Sequence, residues 1–358
     1  MNNIITPLKG PDRVRRRPAV IFGNDNAEGV KTAVEMLLST LLEGGCTQII
    51  LTQFADNSLK IQDNGKGLYL GSPENSCWKD VFDQLYALSP WEAPGRSVFD
   101  VPTDDSPSDS MDLCALQYAS AQMQVRAVRD GLGWDLQFHK GYLTGDYQVA
   151  PSDEPSGTML HFLPDREVFS DIALDSQALA QALQIMALHQ AGLTVIYRRE
   201  TAAGFEESTY CYPQGAADYL QGPHIYTAGL SAEGRERYNR PQYHAQVRMG
   251  LCFVEDGGFV KCSHNLRQLP NGGTHCDALI AEIQKYLEWM LDLSLTEEQL
   301  RQHLQLVLIT DSDFTSWSNG TRTAIDNILI RDMAQDTLGD NFRRFLKEHA
   351  DALTAMLN

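Results

Sequence analysis

The residues best suited to chemistry lie in a short stretch where a predicted strand gives way to a turn. Residues 63–67 read Asp-Asn-Gly-Lys-Gly, directly after an alternating strand pattern. Asn and Gly accept positive φ, so a turn is predicted immediately after the strand. The Asp63 carboxylate stands beside backbone that a flat ligand can approach, and it can accept from an exocyclic amine such as that of adenine. The residues leave open the alternative that Asp63 only caps its own turn.

The elements around this turn follow from hydrophobic periodicity, which predicts a strand-rich chain with flanking helices. Helices are predicted over Glu28–Glu43, Trp78–Leu88, Met111–Ser120, Ser176–Ala191, Cys276–Leu291, Thr296–His303 and, as largely one long helix, Thr323–Leu357. Strands are predicted over Cys46–Thr52, Gln122–Arg129, Leu132–His139, Gly157–Leu163, Leu193–Arg199, Glu206–Tyr212, Tyr243–Phe253, Phe259–Ser263 and Leu304–Thr310. The pattern fits an α+β sandwich, in which helices cover one mixed sheet.

Four stretches resemble one branch of the GHKL ATPases, the B subunits of DNA gyrase and topoisomerase IV. Residues 63–67 resemble the Asp-x-Gly-x-Gly element of that family. Leu8–Pro18 resembles its opening segment, Gly157–Asp165 its Gly-Thr strand, and Gly272–His275 the Gly-Gly-Thr-His turn of its transducer domain. The four stretches occur in the order of the family at similar spacing. The resemblance covers essentially the whole chain but only the N-terminal half of a full-length gyrase B.

The resemblance implies a fold and a domain division. Residues 1–220 would form a GHKL (Bergerat-type) α/β sandwich with a mixed, mainly antiparallel sheet. Residues 221–358 would form a gyrase-like transducer domain with a ribosomal-protein-like βαβ fold. The length of 358 residues independently suggests two domains, and a boundary is predicted near Gln221–Pro223.

The resemblance also assigns the adenine half of a nucleotide site. The adenine-reading Asp of the family falls on Asp63 and its glycine on Gly67. The threonine beside that Asp falls on Thr158, and an arginine at the pocket mouth falls on Arg129. An adenine nucleotide is therefore the cofactor that the resemblance implies for these four residues.

The phosphate half of that site is not matched. Without a gap, the catalytic Glu of the family falls on Thr32 and its Mg²⁺-binding Asn on Met36, and no Glu-x-x-x-Asn occurs in this helix. Thr cannot act as a general base, and Met is a poor ligand for a hard cation. Glu35 is the only acid well inside the helix, but Ser39 stands one turn later. We therefore assign no catalytic or metal-binding residue and expect no Mg-ATP hydrolysis.

Two further elements of the family are altered. Its glycine-rich lid corresponds to residues 106–115, where Asp109 and Asp112 would repel a triphosphate. The lysine that its transducer sends to the γ-phosphate falls on Asn319, and Arg322 could replace it only if the loop bulges. The family's N-terminal arm, which helps to close an ATP-bound dimer, corresponds to a short segment, Met1–Pro7.

Composition restricts the surroundings and the partners. The formal net charge of −18 disfavours direct DNA binding, and the arginines of residues 13–17 are interpreted as solvated rather than as a phosphate contact. No run of eighteen apolar residues and no secretory pattern occurs, so no membrane association is expected. Seven scattered cysteines suit a reducing cytoplasm. A zinc set of Cys262, His264, His275 and Cys276 is disfavoured because its spacing matches no standard finger.

The sequence favours a degenerate gyrase-B-like protein, a pseudoenzyme that acts by binding. The expected partner is a type IIA topoisomerase subunit, a gyrase-directed ligand, or a second copy in a homodimer. One alternative is the ATP-binding module of a divergent type IIA topoisomerase whose cleavage domains lie on another chain. A second alternative is an adenine-site binder of small molecules or a decoy, since aminocoumarin-type inhibitors of the family occupy the adenine side. The unmatched phosphate half favours binding over hydrolysis.

Overall fold

A computed structural model describes residues 8–85, 91, 113–236, 242–319 and 323–357. The described residues form two compact units. The first lies within 1–184 and 193–210, and the second within 185–192 and 211–358. The predicted domain boundary at 220/221 stays a prediction.

The strands of the first unit are β1 (Gln48–Gln53), β2 (Leu59–Asp63), β3 (Gly71–Ser72), β4 (Asn75–Ser76), β5 (Ser120–Arg129), β6 (Leu132–His139), β7 (Tyr142–Leu143), β8 (Gln148–Pro151), β9 (Gly157–Pro164), β10 (Thr194–Thr201) and β11 (Gly204–Cys211). Among the described residues, the main sheet has the order β11-β10-β1-β2-β9-β5-β6-β7, with β8 also paired to β6. Strands β1 and β10 pair in parallel, whereas the successive pairs from β1 through β2, β9 and β5 to β6 are antiparallel. The mixed, mainly antiparallel sheet of the predicted α+β fold is confirmed.

The helices of the first unit are α1 (Asp12–Arg15), α2 (Pro18–Phe22), α3 (Ala27–Glu43), α4 (Trp78–Phe82), α5 (Leu113–Tyr118) and α6 (Ser176–His189), the last of which continues into the second unit. Helix α3 begins where the Asn26 side chain accepts from the backbone N–H of Glu28 at 3.0 Å. It ends at Gly44-Gly45, and Gly45 takes the left-handed conformation, with φ of 73°. Its apolar stripe, which includes Leu37 and Leu41, is fully buried. Helix and turn thereby fix the start of β1.

The second unit contains β12 (Ile225–Gly234), β13 (Tyr243–Phe253), β14 (Phe259–His264), β15 (Arg267–Gln268), β16 (Leu304–Ser312), a 3₁₀ helix (Gly215–Tyr219), α7 (Thr274–Leu291), α8 (Glu297–His303), α9 (Ile328–Asp336), α10 (Asp340–Glu348) and α11 (Ala350–Leu357). Its sheet has the order β12-β13-β16-β14-β15, with β14 and β16 parallel. Helices α7, α9, α10 and α11 share one buried apolar cluster with this sheet.

The prediction of largely one long helix over Thr323–Leu357 was wrong. The segment forms three short helices, α9 to α11. The Thr337 carbonyl accepts from the Tyr226 hydroxyl at 2.6 Å, and Gly339 precedes α10 in a non-helical conformation. The break lets Phe342 and Leu346 point into the core, both fully buried. Tertiary contacts therefore override the continuous helical pattern.

Within the described ranges, no helix combines the length and apolar character that crossing a bilayer requires. All seven cysteines lie in these ranges, and all are free thiols.

Candidate site for a planar base

Asp63 is the last residue of β2, where it pairs with Ile49 of β1. Its Oδ1 accepts from the backbone N–H of Gly65 at 2.7 Å, which closes the turn. The next side chain, Asn64, accepts through Oδ1 from the backbone N–H groups of Thr47 and Gln48 at 2.9 and 2.8 Å. The turn is therefore attached to the beginning of β1, and the Asp63 carboxylate has a fixed direction.

Around the Asp63 carboxylate, the main chain at Gly67 and Gly157 packs directly against the main chain of neighbouring segments. Gly67 has φ of +76°, and a Cβ there would stand 2.1 Å from the Val128 carbonyl oxygen. A Cβ on Gly157 would stand 2.3 Å from the carbonyl oxygen of Asp63 itself. Such distances exclude any side chain without backbone movement, so the glycines are required for packing whether or not a ligand binds.

Two buried oxygens at this point lack partners. Among the described residues, neither Asp63 Oδ2 nor Thr158 Oγ1 makes a hydrogen bond, and Thr158 is only 3% exposed. Burial raises the pKa of the Asp63 carboxyl to about 6, although polar groups of Gly65 and Thr158 offset part of the rise. Thr158 thus lies next to the carboxylate without an aligned hydrogen bond to it. Buried polar atoms normally find partners, so this pair is an exception that requires an explanation.

The Asp63 carboxylate and the Thr158 hydroxyl together can recognise a ligand that presents a hydrogen-bond donor. A carboxylate oxygen offers only acceptance when ionised, whereas the Thr158 hydroxyl can donate and accept. A planar base that carries an amine next to a ring nitrogen would complement both groups. The alternative interpretation of Asp63 as a turn cap accounts for Oδ1 but leaves Oδ2 unexplained. The structure therefore brings Asp63, Gly67 and Thr158 together as the sequence predicted, while their use as ligand contacts stays a prediction.

Arg129, predicted at the pocket mouth, ends β5 and contacts the same turn. Its Nη1 donates to the carbonyl oxygens of Gly67 at 3.3 Å and Trp91 at 2.9 Å. Its guanidinium carbon lies 5.3 Å from the centroid of the Tyr69 ring. Sequence reasoning missed Trp91, which stands alone between undescribed residues and carries no local motif. Its contacts show that it belongs to this neighbourhood.

The face of α3 that the family uses for catalysis carries no acid at the two expected positions. Thr32 and Met36 lie one turn apart and are partly exposed. The Met36 carbonyl accepts from the Thr40 hydroxyl at 3.1 Å, a local bond within the helix. Glu35 lies 3.9 Å from the Lys31 ammonium. The residues at the two expected positions do not fit Mg²⁺ or a general base.

Three predicted elements fall partly or wholly outside the described residues. The arm Met1–Pro7 lies outside them, as does the acidic part of the lid segment up to Asp112. Arg322 lies outside them as well. Asn319 is described, and its side chain donates to the Thr323 hydroxyl and accepts from the Thr323 backbone N–H at 2.9 and 3.0 Å. These bonds tie Asn319 to its own loop.

The second unit offers weaker candidates. Hydrogen bonding between the Cys262 and Cys276 thiols raises the pKa of Cys262 and lowers that of Cys276. His275 is fully buried, and burial lowers its pKa to about 4. No group of three or more His, Cys, Asp or Glu side chains in the described ranges could hold a metal ion. A surface cavity of about 640 Å³ is lined by residues such as Asp256, Glu298 and Arg301, but they bring no nucleophile and general base together.

The mixed sheet, its covering helices and the Asp-Gly-Thr arrangement have the form of a GHKL-type α/β sandwich, followed by a transducer-type unit. No protein-family model matches the chain. Its sequence is 22% identical over 369 residues to the B subunit of DNA gyrase from Chlamydia muridarum, covering 96% of this chain and 45% of that protein. It is 24% identical over 384 residues to the corresponding gyrase B of Synechocystis, covering 99% of this chain and 34% of that protein. The chain is thus similar in sequence to gyrase B subunits along nearly its whole length and spans a third to a half of the length of these curated relatives.

Solved structures agree on the fold. The 43K ATPase domain of Thermus thermophilus gyrase B, solved with an aminocoumarin, superposes with a TM-score of 0.71 at 19% identity and covers 98% of this chain and 93% of that one. The topoisomerase IV ATP-binding domain of Francisella tularensis, solved with a small-molecule inhibitor, gives 0.66 at 18% identity, with 98% and 95% covered. The predicted gyrase-B-like fold is confirmed along nearly the whole chain.

Proposed function

We propose that this chain is a non-catalytic, gyrase-B-like binding protein whose Asp63 pocket holds a planar base of the adenine type. The observation that carries the proposal is the buried pair of neighbouring oxygens, Asp63 Oδ2 and Thr158 Oγ1, neither of which makes a hydrogen bond of good geometry among the described residues. A base donating to the carboxylate would satisfy the costliest of these groups. A hydrogen bond to a charged acceptor contributes about 1.5–3 kcal/mol.

The absence of hydrolysis is the second part of the proposal. Thr32 and Met36 replace the base and the metal ligand expected on α3. Loss of a general base alone lowers turnover by about 10²–10⁴-fold, and loss of a metal ligand lowers it further. A steady-state ATPase assay with Mg²⁺ tests this against a gyrase B N-terminal fragment run in parallel. Comparable turnover that Asp63→Asn abolishes would overturn the proposal.

The order of affinities tests the binding site itself. In calorimetric titrations, adenosine should bind at least as tightly as ADP or ATP, because the retained contacts read only the base. Asp63→Ala should remove binding. The matched control is Asp56→Ala, which removes a carboxylate from the preceding turn, where Asp56 Oδ1 accepts from the Ser58 N–H at 2.8 Å. ATP binding about tenfold or more tightly than adenosine would contradict the proposal.

For a partner, we propose a type IIA topoisomerase subunit, a gyrase-directed ligand or a second copy of this chain. Homology to gyrase B along nearly the whole chain supports an assembly role. Because the phosphate half is unmatched, any homodimer should form without nucleotide. Sedimentation with and without a non-hydrolysable ATP analogue tests this. A monomer that dimerises only when the analogue is added would contradict it.

The enzyme alternative is an ATP-binding module of a divergent type IIA topoisomerase. The same near-complete homology favours it, since the Thermus thermophilus structure that this chain resembles is an ATPase domain. The ATPase assay above separates the two functions. A third function, a small-molecule binder or decoy, uses the same pocket and differs only in its ligand.

A further inference from the structure

An indole ring lies beside the turn that follows Asp63. Trp91 is 3% exposed. The Cη2 and Cζ3 atoms of its ring lie 2.8 and 2.9 Å from the point where a Cβ on Gly44 would stand. The Gly44 carbonyl accepts from the backbone N–H of Lys66 at 3.2 Å. The ring is therefore packed where α3 ends and meets the turn.

Two cationic side chains, those of Lys66 and Arg129, lie close to Trp91. The Lys66 ammonium lies 6.0 Å from the centroid of the Trp91 ring, within the range of a cation–π contact. The Arg129 guanidinium donates from one nitrogen to the carbonyl oxygens of both Trp91 and Gly67. Gly44, Lys66 and Arg129 thus all contact Trp91, and the contacts of Lys66 and Arg129 link it to residues 65–67.

We infer that Trp91 occupies the outer part of the Asp63 pocket and acts as its specificity-determining residue. The inference rests on the proposed function, because it concerns the ligand class of that same pocket. On this inference, a compact planar base contacts Asp63 Oδ2 and Thr158 Oγ1 while Trp91 keeps its contacts with Gly44 and Lys66. A ligand with a further ring system must displace the indole from Gly44 and break its contact with Lys66. The site therefore selects for adenine-sized ligands and against elongated ones.

Competition between the indole and a ligand ring is physically direct. A buried Trp side chain contributes a large apolar area, and an aromatic ligand would need the same apolar wall and the same cations. Truncation of Trp91 would leave a space with an aromatic shape beside Lys66 and Arg129. An elongated aromatic ligand could fill that space, whereas a small base would gain little from it.

The experiment compares two probes, adenosine and an aminocoumarin, on the wild-type chain and on Trp91→Ala. The measured quantity is the ratio of their dissociation constants by calorimetry. We expect this ratio to shift by about tenfold or more toward the aminocoumarin in Trp91→Ala. Trp91→Phe should give an intermediate shift, and it covers the case in which the alanine variant does not fold. The control is Trp78→Phe, since Trp78 packs against Phe138 with centroids 6.0 Å apart, and there the ratio should stay unchanged.

Intrinsic fluorescence supplies a second readout that a merely structural role would not move. Adenosine should change the emission of the wild-type chain and of Trp78→Phe but not that of Trp91→Phe. If the wild-type chain binds adenosine while the ratio in both Trp91 variants stays within about threefold of the wild-type value, the inference is overturned and the proposed function stands. If neither probe binds the wild-type chain or any folded variant, the inference and the proposed function are both overturned.

Discussion

The Asp63 end of the sheet and the partly exposed face of α3 differ in how closely their residues are packed. At the first, main chain meets main chain at Gly67 and Gly157, and a buried carboxylate oxygen lacks a partner among the described residues. At the second, Thr32 and Met36 are partly exposed side chains on a regular helix. Packing restricts the residue types in the first region, whereas the second region carries no such restriction. The residue types at positions 32 and 36 can therefore change with little cost to the fold.

The largest effect is expected from adding one methyl group to the turn. Gly67→Ala places a Cβ 2.1 Å from a carbonyl oxygen and requires φ of +76°. We expect the unfolding free energy to fall by about 3 kcal/mol or more, because overpacking adds to backbone strain. Urea unfolding measures it. Gly45→Ala is the control, since Gly45 has φ of +73° with nothing within 4 Å of the added Cβ, and its cost should be about 1 kcal/mol. Equal costs would refute the packing argument.

A smaller effect on the unfolding free energy, with a defined pH dependence, is expected when the Asp63 carboxylate is replaced. The folded pKa of about 6 exceeds the unfolded value of 3.8, so the folded state binds more protons between these values. The contribution of Asp63 to stability therefore falls as pH rises through that window. Asp63→Asn should unfold with about 3 kcal/mol more free energy than wild type near pH 8, and the difference should vanish below about pH 3. A pH-independent difference would show that the carboxylate is not destabilised by burial.

The smallest effect on stability is expected on the helix face. The double variant Thr32→Glu, Met36→Asn restores the residue types of an ATPase at partly exposed positions. Its unfolding free energy should lie within about 1 kcal/mol of wild type. Its ATP turnover should stay at the wild-type level, because the lid and the transducer lysine remain unmatched. If this variant hydrolysed ATP, the prediction would be contradicted, and these two residues alone would distinguish the wild-type chain from an active ATPase.

The sequence predicted the parts of the molecule that local rules determine. The end of β2 at Asp63 follows from alternation and a turn signal, and α3 follows from its apolar stripe and terminal glycines. Strand β12 was missed because glycines at 229 and 234 interrupt its alternation and most of its side chains are exposed. The break at Thr337 depends on a hydroxyl from Tyr226, more than one hundred residues earlier, and no local pattern contains that contact.

The candidate site shows the same limit. The motif residues Asp63, Gly67 and Thr158 were found by resemblance, but the missing partner of Asp63 Oδ2 emerges only from packing. The place of Trp91 in this site could not be predicted, because its neighbours Gly44 and Arg129 are distant in sequence. Contacts that join separate segments cannot be predicted from the spacing within one segment.

The close approach of Gly67 to Val128 and of Gly157 to Asp63 has a consequence for how such a protein can change over time. A chain that no longer binds nucleotide would still reject every substitution at these glycines, since selection for folding alone would preserve them. Persistence of Gly67 and Gly157 in a descendant therefore carries no information about its ligand. The carboxylate is free of that constraint, because Asn could close the same turn with one fewer buried charge. In such a lineage, replacement of Asp63 by Asn would be the first sequence change to indicate that the pocket no longer binds a ligand.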